Sequence, residues 1–402
     1  MTVMSRAERN LLDRRQILRG GAASLALWGL LPKTASASGR DPRLLVVVLR
    51  GGLDGLALVP PLADPDYAQL RGMAAPTAAT LALDGSFGLD PAMPFLHGLY
   101  RKREALIVHA VATPYRGRSH FDGQDVLESG LPGTGRVADG WLNRALTALP
   151  AGGRPNPKAL AVGAVVPLLM RGAAPVLSWS PRTFNLPLRD STAARLMDLY
   201  SASDPKLAKA LAAGLEIDRM AAVAAPQAAG GRPFRDLLET AEAAAKFLSA
   251  ADGPRIGALS FNGWDTHANA AGQLANRLAG LDAALKAFAE GMGPAWKDTV
   301  AILVTEFGRT ARMNGTAGTD HGTATVAVSI GGAVRGGRVL ADWPGLSDAK
   351  LFEGRDLAPT QDLRAVVKGV LRDHLGLSPN LLAAAVFPDS ARVAPLDGLI
   401  AS

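Results

Sequence analysis

The chain has 402 residues, 48% hydrophobic and 20% charged, enough apolar length for a sizeable core, so a disordered polymer is excluded. It has no cysteine, which excludes disulfides, thiolate metal sites, a cysteine nucleophile and a formylglycine made from cysteine. The net charge is +7, but residues 1–37 hold six basic and two acidic side chains; removing their net +4 leaves +3, and no nucleic-acid partner is expected.

The chain opens with a basic start, an apolar run from Ala22 to Leu31, and small residues ending Ala35-Ser36-Ala37. That is the pattern of a secretory signal with an A-x-A cleavage site. The run is about half the roughly 20 residues that span a bilayer. Arg14-Arg15 followed by Gln16-Ile17-Leu18 resembles the twin-arginine type, with Asp13 where Ser or Thr is usual. Residues 1–37 are therefore expected to be a twin-arginine signal peptide, cleaved near Ala37/Ser38 by way of the twin-arginine export machinery. The mature protein would be periplasmic, with no transmembrane segment. The competing reading is an uncleaved amphipathic arm.

Five near-continuous apolar runs follow: "RLLVVVLRGG" (43–52), "EALIVHAVATP" (104–114), "RIGALSF" (255–261), "TVAILVT" (299–305) and "TATVAVSIGG" (323–332). Their length and β-branched content predict buried strands. Helical spacing marks Leu274, Leu278, Leu281, Leu285 and Phe288, and the segment Asp362–Leu377. Strands alternating with helices predict an α/β fold with a mostly parallel sheet and helices on both faces. Residues 183–250 are alanine-rich and helical in pattern, with a break at Ala228–Phe234, and read as a helical insertion or cap.

In open parallel sheets, ligands bind beyond the carboxyl ends of the strands. Acids, imidazoles and hydroxyls gather there in five segments. Asp54 follows the first run. Ser119, His120 and Asp122 follow the second, Asp265 and His267 the third, and Glu306 and Arg309 the fourth. Asp320 and His321 precede the fifth. Carboxylates with imidazoles suit zinc, manganese or iron, and carboxylates with water suit calcium or magnesium. Each residue also has a plainer reading. Ser119 caps a helix with Asp122 as its partner; Asp54 stabilises its own glycine-rich turn; Asp265 and His267 are turn residues; Glu306 pairs with Arg309. His97, His109 and His374 lie in apolar or helical patterns and read as structural. Asp362, at a helix start, fits the helix dipole.

The stretches "VVVLRGGLDGL", "RSHFDGQDVLESG", "GWDTHAN", "TEFGRTARMNGTAGTDHGTA" and "GGAVRGG" together resemble the exported bacterial family catalogued as domain of unknown function 1501. The likeness spans nearly all of residues 38–402. It implies one alkaline phosphatase-like domain: a three-layer α/β/α sandwich carrying one or two divalent metal ions (zinc, manganese or calcium) at the strand ends. By that resemblance the metal ligands are Asp54, Asp265, His267, Glu306 and His321, with Ser119 as nucleophile; Asp320, beside His321 at the same edge, is expected among the ligands from its place in the loop. Phe307 stands where the superfamily has a second histidine, which removes one ligand from the second metal.

Two functions remain open from the sequence. One is an exported metal-dependent hydrolase of phosphate or sulfate esters, acting on anionic small molecules or polymers. In it Ser119 or a water attacks, His120 acts as acid or base, and Arg309 clamps the anionic group. The other is a non-catalytic exported binding or envelope protein on a degenerate phosphatase-like fold.

Overall fold

The computed structural model describes residues 40–401, apart from 73–79, 136, 150–158, 164, 181–189, 206, 210, 213 and 216–234. The predicted signal peptide and the break at Ala228–Phe234 lie outside the described residues. The following concerns the unit Pro42–Ser402.

In chain order the elements are β1 (Arg43–Arg50), α1 (Gly55–Leu58), α2 (Tyr67–Arg71), β2 (Leu81–Ala82), β3 (Gly88–Leu89), α3 (Pro94–Arg101), β4 (Ala105–Ala112), α4 (His120–Ser129) and α5 (Trp141–Ala148). Then come β5 (Ala159–Val162), β6 (Val176–Trp179), α6 (Asp190–Ser203), α7 (Arg235–Ser249), β7 (Ile256–Asn262), α8 (Ala270–Met292), β8 (Thr299–Val304), β9 (Thr325–Ile330), β10 (Arg338–Leu340), β11 (Gln361–Asp362) and α9 (Leu363–Leu375).

Nine strands form one sheet in the order β10-β4-β9-β8-β1-β7-β5-β6, with β11 also on β4. The five apolar runs are its five longest strands. β1 lies at the centre because its side chains are apolar on both faces, as a doubly covered strand requires. Leu45, Val47 and Leu49 pack into a core with Leu278, Leu281, Leu285 and Phe288 of α8. Leu44, Val46 and Val48 pack the other way, with Leu142 of α5 and Val366 and Val370 of α9. The result is the expected three-layer α/β/α sandwich.

At the end of the alanine-rich stretch, α7 buries Ala241, Ala244, Ala245 and Leu248 in the main core and packs on α8. Alanine side chains give the close helix–helix approach that a layer helix needs. The sheet is mostly parallel, as expected; within it β9 runs antiparallel to both neighbours, β4 and β8. That reversal sends the connection from β8 out and back along a single edge. Glu306, at its start, and Asp320 and His321, near its end, therefore meet the segments that follow β1, β4 and β7.

Candidate metal centre

At that edge His120, Asp265 and His321 each offer a ligand atom, all within 4.8 Å of one another. Asp265 follows β7 and is central. Its Oδ2 lies 3.3 Å from His120 Nε2. Its Oδ1 lies 3.2 Å from His321 Nε2 and 2.9 Å from His267 Nε2. His267 and His321 face each other through Nε2 atoms 3.0 Å apart.

Each imidazole is held at its other nitrogen by an acceptor. His120 Nδ1 is 2.8 Å from Glu306 Oε1, His267 Nδ1 is 3.1 Å from Asp320 Oδ1, and His321 Nδ1 is 2.8 Å from the Arg118 carbonyl. A ring that donates from Nδ1 presents a lone pair at Nε2, the arrangement that orients histidine for a metal. Three such lone pairs converge on a carboxylate, and among the described residues His120 Nε2 is buried without a hydrogen-bond partner. Donors at about 2.0–2.1 Å from a tetrahedral ion stand about 3.3 Å apart, close to the spacings observed. The donor set fits a nitrogen-loving divalent ion such as zinc.

Local sequence builds this arrangement. His120 opens α4, and Gln124, one turn later on the same face, donates to Glu306 Oε1 at 3.1 Å. Gly318 brings the 314–320 loop onto the segment that carries His267: a Cβ there would meet the His267 carbonyl at 2.0 Å. Phe307 is buried and packs its ring against His120 and His321, with centroids 4.9 and 5.2 Å away.

The electrostatics follow from these contacts. Burial alone would raise the Asp265 carboxyl, but the hydrogen bond and charge of Arg309 hold it below the usual range, aided by His267 and His321. Burial likewise opposes ionisation of Glu306, yet its hydrogen bonds from His120, Gln124 and the Gly51 N–H keep it below the usual range. The His120 imidazole is raised, first by its hydrogen bond to Glu306. His321 is lowered, first by burial. The Asp320 carboxyl is lowered, first by its hydrogen bond from Asn314 and then by that from His267.

Several site expectations change. Asp54 is 1% exposed and both its oxygens are taken by Arg71, at 2.5 and 2.9 Å, while Oδ1 also accepts the Ala57 N–H that starts α1. It serves its own turn rather than the cluster, because a buried carboxylate takes the nearest cation. Glu306 is fully buried; its oxygens accept from Gly51 N, His120, Gln124 and Thr305 Oγ1, so it stands behind His120. Asp320 likewise stands behind His267. Arg309 does not face a substrate: it is 1% exposed, donates to Asp265 Oδ1 at 2.6 Å and to Thr319 Oγ1, and also bonds the Thr319 carbonyl. His120, read from the sequence as an acid–base group, sits among the donors. Ser119 occupies the N-cap of α4 and its side chain makes no capping hydrogen bond. Its neighbours on both sides touch the cluster, through the Arg118 carbonyl and the His120 ring.

The sequence reading missed Gln124, Arg118, Thr319 and Asp356. Gln124 was within reach, being four residues after His120 on a helix. Nothing in "KLFEGRDL" (350–357) marks Asp356.

The family described as "Protein of unknown function (DUF1501)" matches residues 103–385. No curated protein matches the chain. Among solved structures, a protein in the alkaline phosphatase superfamily from Vibrio parahaemolyticus aligns at 15% identity over 75% of this chain and 63% of that one, with a TM-score of 0.35. Alkaline phosphatase from the Antarctic bacterium TAB5 aligns at 13% identity over 73% of this chain and 92% of that one, with a TM-score of 0.35. The phosphonate monoester hydrolase of Agrobacterium radiobacter aligns at 13% identity over 84% and 74%, with a TM-score of 0.36.

Proposed function

This chain belongs to the DUF1501 family, and we propose that it is an exported, metal-dependent hydrolase of phosphate or sulfate esters. One observation carries the reading: the Nε2 atoms of His120, His267 and His321 turn inward on Asp265 while every Nδ1 is held by an acceptor. Lone pairs that converge in this way, in a half-buried set open to solvent at Asp265 and His267, are satisfied by a cation rather than by one another.

His120, Asp265 and His321 would hold the ion, with His267 beside them. When bound, a divalent ion supplies Lewis-acid polarisation and charge neutralisation for an anionic ester. Arg309 keeps Asp265 ionised and fixed. Glu306 and Asp320 fix the rings of His120 and His267. Ser119 supplies the hydroxyl nucleophile: it forms the bond to phosphorus or sulfur as the alcohol leaves, and water then hydrolyses the serine ester. The amino end of α4, where Ser119 sits, favours the anionic group by its dipole. The signal sequence would deliver the protein to the periplasm. Among the described residues, no helix is long and apolar enough to cross a membrane.

The second reading, a non-catalytic binding protein, is favoured by Arg309, whose guanidinium is spent on Asp265 and Thr319. The two separate in one experiment. The exported protein is purified without chelators, beside His321→Ala and Ser119→Ala, and assayed for bound metal and for turnover of aryl phosphates and sulfates. A hydrolase holds stoichiometric metal that falls in His321→Ala, and it loses turnover in Ser119→Ala with metal retained. Stoichiometric metal without turnover in the native protein establishes the binding reading. Absence of metal from the native protein rejects the metal centre altogether.

A further inference from the structure

Behind His321 lies a strap, Phe352–Leu357, that belongs to none of the segments supplying ligands. Its hub is Asp356, fully buried. Asp356 Oδ2 accepts from Arg118 Nε at 2.8 Å and from Thr323 Oγ1 at 2.9 Å. Oδ1 has no hydrogen-bond partner; the Arg355 Nη1 atom is 3.8 Å away. Next to it, Arg355 Nη2 donates to the His321 carbonyl at 2.8 Å. The strap thus grips the chain two residues after His321, His321's own backbone, and Arg118.

Arg118 is the decisive link. Its backbone is left-handed, with φ of +60°, a region that costs a non-glycine residue of the order of 1 kcal/mol or more unless surroundings impose it. The imposing contacts are on its side chain, held by Asp356 and, at 2.6 Å, by Glu353. In this twisted state the Arg118 carbonyl accepts the Nδ1 hydrogen of His321 at 2.8 Å. That bond, shorter than the 3.2 Å from Nε2 to the competing acceptor Asp265 Oδ1, favours the proton on Nδ1 and so leaves Nε2 a lone pair toward Asp265.

We propose that Asp356 is a positioning residue for His321, acting through Arg118 to hold the ring in its metal-binding tautomer. The metal-affinity part of this rests on the metal-centre reading; the tautomer part does not. The strained turn explains why a buried carboxylate is kept on a segment with no ligand of its own. Arg118 is also bonded through its peptide to Ser119, so the same anchor sets where the nucleophile begins.

The test uses Asp356→Asn and Arg118→Gly in the full-length protein. Glycine accepts the left-handed backbone without strain, so the second variant removes the side-chain anchor without adding backbone strain, and both variants are compared per folded molecule because each disturbs the buried Asp356. Zinc affinity is measured by competition with a chromophoric chelator. The His321 tautomer is read in metal-free, ¹⁵N-histidine-labelled protein by long-range proton–nitrogen correlation. Loss of an outer-shell partner weakens metal binding about 10–100-fold, and both variants are expected to show that loss together with a mixed His321 tautomer. Zinc dissociation constants within about twofold of the native value would overturn the proposal, as would a His321 ring still protonated at Nδ1 in both variants. Should the native protein bind no zinc, the metal reading fails, and the tautomer measurement alone decides the role of Asp356.

Discussion

At the scale of single residues, the centre is a study in what a carboxylate does with its two oxygens. Asp265 divides them between a buried guanidinium and three imidazoles, whereas Glu306 spends both on hydrogen-bond donors behind His120. Both residue types were legible in the sequence; which one faces the site was not, since residues at strand ends differ by a small rotation. His109 shows the same physics in an apolar place. It is fully buried, its Nε2 bonds the Val59 carbonyl and its Nδ1 accepts the Ala110 N–H. Burial pushes its pKa down from 6.5 to about 4, against the hydrogen bond to Val59. The folded state thus excludes a proton that the unfolded chain takes up, so stability is complete above the unfolded value and falls as pH drops through the window from 6.5 to about 4. Between pH 7 and 5 this group alone should remove about 2 kcal/mol. Urea unfolding at the two pH values should show that loss in the native protein and a smaller one in His109→Gln; equal losses would exclude His109 as the source.

At the scale of elements, the five long strands were readable because each is apolar on both faces and long enough to outweigh its neighbours. The short strands β5, β6, β10 and β11 were not, since two to four residues carry no periodicity. Asp54 illustrates the limit for motifs. The sequence shows an acid after β1 in a glycine-rich turn, but it does not show that α2 folds back to place Arg71 against it. A buried pair of this kind is destabilising by about 3–5 kcal/mol when one partner is removed. Asp54→Ala should therefore lower the melting temperature steeply while leaving bound metal per folded molecule unchanged. Loss of metal from the folded fraction would return Asp54 to the ligand set.

At the scale of the whole molecule, the candidate centre joins the segments after β1, β4, β7 and β8 and the one before β9, so an ion bound there would fasten parts of the chain more than 200 residues apart, as the 203-residue separation of Arg118 and His321 illustrates. Binding to the folded state alone stabilises by mass action, about 2.7 kcal/mol at a free concentration 100 times the dissociation constant. Added zinc should raise the melting temperature of the metal-stripped protein, and His321→Ala should abolish the rise; an equal rise in the variant would place the ion elsewhere. By itself the sequence determined the α/β class, the central strands, the family and the set of acids and histidines near one edge, because apolar runs and short motifs are local and survive without a fold. The tertiary structure alone decided that β9 runs backwards, that α7 is a core layer, that Arg71 and Arg309 are consumed by Asp54 and Asp265, and that Asp356 stands behind His321. Each of these depends on contacts between distant segments, and for a buried polar group the partner that arrives from far along the chain, not the neighbour in sequence, settles whether that group is left for chemistry.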